Sequence, residues 1–398
     1  MQPPPTVDRR DAPRTTGFGT ITSGRSAATT AAVTSLRLTD FRNYRRLEIR
    51  PAGGPVVLTG ANGAGKTNLL ESLSLLAPGR GFRRAALTDL DRDGGGPWRM
   101  EVEVAAADGP LVLRSGRDPA SDKRSIHLFD QPLRTQGVLS GLFGVGWLVP
   151  SMDRLFDEAS SGRRRFLDRL VPAVQPDHAT RVAAYERAMR ERAAVLREGA
   201  GDAVWLSALE RRMAEPAVAI AAARLELVAA LNTQLETPSI DLPRVRLAVA
   251  GEVEAALGTL SARDVEQRLR ADLAASRARD SALGGAAHGT HRSDLAVRDA
   301  ERDEAAARCS TGRQKAMLLA IVLAEARLRR ACTGQAPVLL LDEVAAHLDA
   351  RKRTGLCATL IELGVQAWLT GTDRSLFEAL EGRAQFYSVD EGRLRDHD

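Results

Sequence analysis

The chemistry most plainly written in the chain lies in Gly60-Ala61-Asn62-Gly63-Ala64-Gly65-Lys66-Thr67, which fills the pattern G-x-x-x-x-G-K-[ST] completely. The run follows the apolar stretch Val56-Val57-Leu58-Thr59 and leads into a helical pattern over residues 68–76. A strand before and a helix after separate a phosphate-binding loop from a chance glycine-rich turn. Glycines let such a loop turn through positive φ and bring backbone N–H groups against phosphate oxygens, where the helix start adds its partial positive charge. Lys66 is expected to reach the β- and γ-phosphates of a nucleotide and Thr67 to ligand Mg²⁺, so ATP and Mg²⁺ are the expected cofactors.

A second group sits far downstream. Val338-Leu339-Leu340-Leu341 is an apolar run that ends on Asp342 and Glu343. One carboxylate of such a pair can hold Mg²⁺ while the other polarises an attacking water, which assigns Asp342 to the metal and Glu343 to the base. Apolar runs ending in Asp-Glu are common, and the complete phosphate loop upstream gives this one its meaning. Lys66 and Glu343 are therefore the candidate catalytic residues, Thr67 and Asp342 the candidate metal ligands, and residues 60–67 the candidate nucleotide contacts.

Ser310-Thr311-Gly312-Arg313-Gln314-Lys315 opens a helical pattern containing Met317, Ile321 and Leu328, with Ser310 placed as its cap. The segment resembles the S-x-G-x-Q signature of ABC ATPases. In that family the helix start senses the γ-phosphate of a nucleotide held by a partner chain, which adds Ser310, Gly312 and Gln314 to the candidate nucleotide contacts. His347-Leu348-Asp349 looks like the dimer-facing loop of those ATPases. Thr370-Gly371-Thr372-Asp373 stands in the place of their switch segment, without the histidine that many of them carry.

These motifs require a scaffold, and its elements are legible in outline. Leu36, Leu38 and Phe41 alternate with polar residues, and further β patterns cover residues 99–104, 111–114 and 125–128. A helix is expected from Arg313 and another near residues 350–363, with strands at 367–369 and 386–389. Strands alternating with helices predict an α/β fold with a mostly parallel sheet, and the resemblance to ABC ATPases implies that it is an ABC-type ATPase head. Residues 162–284 are rich in Ala, Arg, Glu and Leu at helical spacing and are interrupted by Pro172, Pro216, Pro238 and Pro243, which predicts a compact helical insertion rather than one long arm. Residues 1–33 mix Pro, Thr, Ser, Gly and Arg with few large apolar side chains and predict a disordered extension. The expected organisation is that extension, a head split into 34–161 and 285–398, and the insertion, a lever arm, at 162–284.

Composition narrows the function classes. The chain has 398 residues, 44% of them hydrophobic, enough for a substantial core in two domains. No run of about 18 apolar residues and no secretory signal appear, which argues against membrane insertion and export and makes the cytoplasm the expected location. Cys309, Cys332 and Cys357 lack metal-ligand spacing and are expected to be reduced and structural. The net charge of +5 suits a polyanionic partner. Lysines are few, only Lys66, Lys123, Lys315 and Lys352, so an arginine excess of genomic origin explains the charge equally well.

From residue 34 onward the sequence resembles the RecF family. The resemblance rests on Leu38-Thr39-Asp40-Phe41-Arg42-Asn43-Tyr44, the phosphate loop running into Asn68-Leu69-Leu70-Glu71, and Pro78-Gly79-Arg80-Gly81-Phe82-Arg83. It continues in Arg163-Arg164-Arg165-Phe166-Leu167-Asp168, Thr290-His291-Arg292-Ser293-Asp294-Leu295 and the segment at Thr370. Taken singly, F-R-N-Y reads as a strand-to-turn, R-R-R-F-L-D as a solvated helix start and H-R-x-D-L as a local ion pair. The resemblance implies an ABC head with a helical arm, an ATP-dependent homodimer, binding to single-stranded or gapped double-stranded DNA, weak ATP hydrolysis, and cooperation with RecO and RecR in loading RecA. Three positions depart from the family pattern: Pro150-Ser151-Met152-Asp153, Arg313 and Ser293.

Other classes fit less well. Transporter ATPase subunits place the signature much nearer the phosphate-loop lysine, whereas more than half of this chain separates Lys66 from Ser310. SMC-like proteins fill the interval with sustained heptads, which the prolines oppose. A non-hydrolysing clamp glued by ATP would not need Glu343.

Overall fold

The computed structural model describes residues 31–106, 109–133, 136–199, 202–236 and 242–396. The disorder expected for the N-terminal extension falls almost wholly outside them. Residues 31–33 are ordered, because β1 (Ala32–Phe41) already begins there and buries Ala31 and Val33.

β1 and β2 (Tyr44–Ile49) form a hairpin whose two-residue turn places Arg42 at φ 52. β3 (Val56–Thr59) ends at the phosphate loop, and α1 (Lys66–Ser74) starts there. β4 (Arg99–Ala106), β5 (Gly109–Arg117), β6 (Arg124–Leu128) and β7 (Gln131–Pro132) follow. They complete an antiparallel sheet in the order β2-β1-β4-β5-β6-β7. Alternation within β4 turns Met100, Val102 and Val104 into the core, as a half-buried strand requires.

α2 (Val138–Leu142) and β8 (Val145–Leu148) return the chain to the second sheet. Next come α3 (Ser160–Leu170), α4 (His178–Glu198), α5 (Ala203–Glu236), β9 (Val245–Ala250), α6 (Glu252–Leu257), α7 (Ala262–Ala275) and α8 (Arg277–Leu283). β10 (Asp294–Asp299) and β11 (Glu304–Ala305) pair with β9 in a small antiparallel sheet. The segment read as helical thus contains one strand, and that strand is paired with residues after its C-terminal end. α9 (Thr311–Thr333), β12 (Val338–Leu341), α10 (Ala350–Leu363), β13 (Ala367–Gly371), β14 (Gln385–Asp390) and β15 (Arg393–Asp396) complete the chain.

The second sheet has the order β15-β14-β3-β13-β12-β8 and is parallel except for β15. Its central strands β3, β13 and β12 are buried on both faces, and the edge strand β15 is mostly exposed. Val57, Leu339, Leu341 and Leu369 join a core with α9 and α10, while Leu58, Val338, Leu340 and Trp368 face α1 and the antiparallel sheet. The fold is therefore α/β as expected, a parallel head sheet that carries a separate antiparallel sheet. Alternation in the sequence identifies β4 to β6 as strands but does not say which sheet they join.

Part of residues 162–284 has a core of its own around Tyr185, Met213, Ile220, Val265 and Leu269, while Phe166, Leu167, Leu227 and Val245 join the core of α9. Pro216 does not interrupt the segment, contrary to expectation: α5 runs unbroken through that residue. A proline inside a helix removes a hydrogen bond and costs about 3 kcal/mol. On both sides of Pro216, Met213, Ala214, Ala217, Val218, Ile220 and Ala221 are buried, and at about 25 cal/mol per Å² that apolar burial outweighs the loss. Among the described residues no helix is long and apolar enough to cross a membrane.

Candidate functional site

The C-terminal edge of the parallel sheet gathers the motifs, where ligands of open α/β sheets bind. β3 delivers residues 60–67, β12 delivers Asp342 and Glu343, and β13 lies between them carrying Thr370. Gly60, Gly63 and Gly65 have φ of 147°, 81° and 121°. At Gly60 a Cβ would also lie 2.2 Å from the Val389 carbonyl oxygen of β14, so only glycine passes. Ala61, Asn62 and Gly63 are exposed at the loop crest, and Ala64 is buried beneath it.

Lys66 is only 4% exposed, and its Nζ donates to the carbonyls of Gly60 (2.7 Å) and Ala61 (2.8 Å) within its own loop. Burial pushes its pKa down, while the nearby carboxylates of Glu343 and Asp342 oppose that shift. The ammonium is thus held in the loop on weak neutral acceptors that a phosphate would replace with a stronger one. Thr67 Oγ1 lies 3.1 and 3.0 Å from the two carboxylate oxygens of Asp342. Burial raises the Asp342 pKa, and hydrogen bonds from Thr370 and Thr67 oppose the rise. Thr67 and Asp342 are adjacent oxygen donors, and no group of three or more His, Cys, Asp or Glu side chains placed to hold a metal occurs among the described residues. That donor set suits Mg²⁺, which commonly takes one or two protein oxygens and completes its shell with phosphate and water. Glu343 is half-buried, in the left-handed region at φ 54°.

Two groups of residues singled out by the sequence turn out to be the frame of this loop. Asn43 Nδ2 donates to the Ala64 carbonyl (3.0 Å) and the Tyr44 hydroxyl to the Gly65 carbonyl (3.0 Å). Arg42 grips Glu71 on α1 with two bonds of 2.9 and 2.8 Å, and Arg83 adds a third at 2.8 Å. Glu71 is fully buried, so F-R-N-Y, the helix after the loop and the G-F-R segment meet at one carboxylate. Glu71→Ala should lower stability by about 2–3 kcal/mol, below the larger cost of an isolated buried charge because both arginines can reach water. Urea denaturation of the variant checks this expected loss.

R-R-R-F-L-D is not a solvated helix start, and H-R-x-D-L is not a local ion pair. Arg163 binds Asp294 through two 2.8 Å bonds, and Arg164 donates to the Ser293 carbonyl at 2.6 Å. Asp168 in turn receives Arg224 of α5 at 2.8 and 2.9 Å. Ser293, one of the departures, lies 2.8 Å from both carboxylate oxygens of Glu254. The two motifs therefore fasten α3 to β10 and to α5.

Ser310 occupies the N-cap position of α9, but its side chain makes no capping bond and has no hydrogen-bond partner among the described residues. Ser310, Thr311 and Gly312 are all exposed, and a Cβ at Gly312 would meet open space. Gln314 behaves differently from its neighbours in the motif. It is 2% exposed, and its amide donates to the Cys309 carbonyl (3.1 Å) and to Asp157 (3.3 Å), so it braces the turn rather than presenting itself to a ligand. Arg313 pairs with Asp299 and, at 2.9 Å, with Glu301. Lys315 reaches Asp153 at 2.7 Å, which ties the signature helix to the segment after β8. That pairing was not apparent in the sequence, where Pro150-Ser151-Met152-Asp153 stands out only as a departure.

Comparison with known proteins agrees with this fold. Residues 35–93 match the model of an AAA domain family. A DNA replication and repair protein RecF of Mesorhizobium japonicum is 45% identical, over 91% of this chain and 97% of that protein. Another RecF, of Caulobacter sp. strain K31, is 46% identical with the same coverage. Among solved structures, the recombination mediator protein RecF-ATPrS of the RecFOR pathway superposes with a TM-score of 0.82 at 21% identity, covering 93% of this chain and 99% of that one. An Smc head domain with an extended coiled coil, bound to the C-terminal domain of ScpA, from Pyrococcus furiosus reaches 0.54 at 16% identity, covering 92% and 96%. With identity at this level over nearly its whole length, the chain belongs to the RecF family of DNA replication and repair proteins.

Proposed function

We propose that this chain is an ATP-dependent DNA-binding protein of recombinational gap repair and replication-fork maintenance. It dimerises on ATP, closes on single-stranded or gapped double-stranded DNA, and helps RecO and RecR load RecA in the cytoplasm. The observation that carries this reading is the division of the site into an inward half and an outward half. The loop of residues 60–67 is closed against Asp342 through Thr67, whereas Ser310 and Gly312 sit exposed at the start of a long helix, the Ser310 side chain bonding to none of the described residues. A helix N-terminus attracts anions, so the exposed half suits the γ-phosphate of a nucleotide carried by a second copy.

In this reading backbone N–H groups of the loop cradle the phosphates and Lys66 shifts from carbonyls of its own loop to the β- and γ-oxygens. Thr67 and Asp342 hold Mg²⁺, which when bound neutralises charge on the phosphate oxygens. Glu343 takes a proton from the attacking water, and hydrolysis opens the dimer. The sequence of Glu343 beside Asp342 favours a hydrolysing protein over a clamp that ATP only glues together.

Gapped DNA should increase the ATP-dependent sedimenting species, and affinity should depend steeply on salt because phosphates dominate such an interface. Between about 50 and 200 mM salt we expect a loss of at least about a hundredfold, with little dependence on base sequence. Sedimentation with and without gapped DNA, repeated across that range, tests the reading. A flat salt response or sedimentation indifferent to DNA removes DNA as the partner.

A further inference from the structure

Thr370 lies on β13, between the strand that carries the phosphate loop and the strand that carries the two carboxylates. It is 1% exposed, and its hydroxyl is used twice. Oγ1 donates to Asp342 Oδ1 at 2.7 Å and accepts the backbone N–H of Glu343 at 2.8 Å. A hydroxyl has one proton to give and lone pairs to receive, so this arrangement uses it in both senses. The bond from Glu343 replaces the next rung of the parallel ladder, just where the chain leaves β12 and turns into the left-handed region at φ 54°, a conformation a glutamate rarely adopts. Threonine is stiff at χ1, so the oxygen stays where both groups meet it.

Next along the strand, Gly371 has no room for a side chain. A Cβ there would lie 2.6 Å from the Phe377 ring, so no histidine fits at that position.

We propose that Thr370 is a positioning residue of the nucleotide site: its single hydroxyl fixes both the orientation of the Asp342 carboxylate and the backbone turn that aims Glu343. The idea deepens the ATP reading above and depends on it. With Oδ1 held by Thr370, Asp342 would offer Oδ2, beside Thr67 Oγ1, to a cation. Loss of the hydroxyl leaves Asp342 short of a donor and the Glu343 N–H without an acceptor, while a methyl in its place fills the same volume.

The test compares Thr370→Val and Thr370→Ser with the wild type. A fluorescent ATP analogue is titrated with Mg²⁺, and hydrolysis is followed in a single turnover. Thr370→Val should melt near the wild-type temperature and bind the analogue without metal as the wild type does. It should need about tenfold more Mg²⁺ for tight binding and hydrolyse at least about tenfold more slowly. Thr370→Ser should recover both to within about threefold, since the hydroxyl returns with a freer χ1. A valine variant with wild-type Mg²⁺ dependence and rate overturns the role of Thr370 alone. So does a serine variant as impaired as valine, because the methyl would then be what matters. A wild type whose nucleotide binding ignores Mg²⁺ removes the metal site itself and the role of Thr370 with it.

Discussion

Glu343→Gln is expected to bind ATP as the wild type does, to accumulate as an ATP-bound dimer, and to hydrolyse roughly a hundredfold or more slowly. The reason is division of labour at the end of β12. Asp342 is 4% exposed, its carboxylate is engaged by Thr67 and Thr370, and it is the oxygen donor assigned to Mg²⁺. Glu343 is half-buried, borders the cleft shared with Pro150, Asp153 and Lys315, and is turned out of the strand direction. Of the two, only Glu343 has a carboxylate without a hydrogen-bond partner among the described residues, and it can orient water. Glutamine keeps the shape and removes the base, so closure survives while the chemistry stops. Analytical ultracentrifugation and single-turnover hydrolysis measure the two halves of that expectation. An unchanged rate would place the base elsewhere.

Ser310→Arg should produce the complementary defect: ATP binding by the isolated chain within about threefold of wild type, and loss of both ATP-dependent dimerisation and hydrolysis. Ser310 makes no contact that the chain's own phosphate loop requires, and it is exposed at the head of α9. A bulky cation there occupies the space that a partner's γ-phosphate would enter and covers the helix N-terminus that attracts it. Because the wild-type side chain caps nothing, the fold should be little affected, within about 0.5 kcal/mol as for other surface substitutions. Dimerisation as in the wild type would reduce the segment to an ordinary helix start.

These expectations draw on features of unequal legibility in the sequence. The phosphate loop and the Asp342-Glu343 pair were readable because their chemistry is local: glycines at fixed intervals, a lysine, a hydroxyl, an apolar strand ending in acid. What supports them was not readable, since it is assembled from distant segments. Glu71 looks like a surface residue of α1 until Arg42 and Arg83 arrive from two other elements, and Asn43 and Tyr44 look like turn residues until they are seen to hold loop carbonyls.

Within residues 162–284 two details were not legible for a related reason. Arg192 is 1% exposed between Glu210 and Asp280, and Arg224 is buried on Asp168, pairings between distant segments that composition does not reveal. Pro216 suggested a break, because local propensity carries no information about the apolar surface that α5 buries on either side of it. Gln314 shows the limit of motif reading from the other direction: its place in S-x-G-x-Q suggested a ligand contact, and its side chain points into the protein. In Thr370 the sequence offered only a position within a switch-like segment; the hydroxyl's two bonds depend on strand register, which no local pattern encodes.

The central claim is that one nucleotide is completed by two chains, and mixing two inactive variants tests it most directly. Lys66→Met removes the charge that a nucleotide needs in the loop but leaves Ser310 intact, while Ser310→Arg does the reverse. Each variant alone should fail to dimerise with ATP and to hydrolyse it. Mixed, they form one site with both halves intact and one with neither, so ATP-dependent dimers and hydrolysis should reappear, approaching the output of one site per dimer. A mixture no more active than its two components would mean that Ser310 and the phosphate loop do not meet across chains, and the shared site would be contradicted.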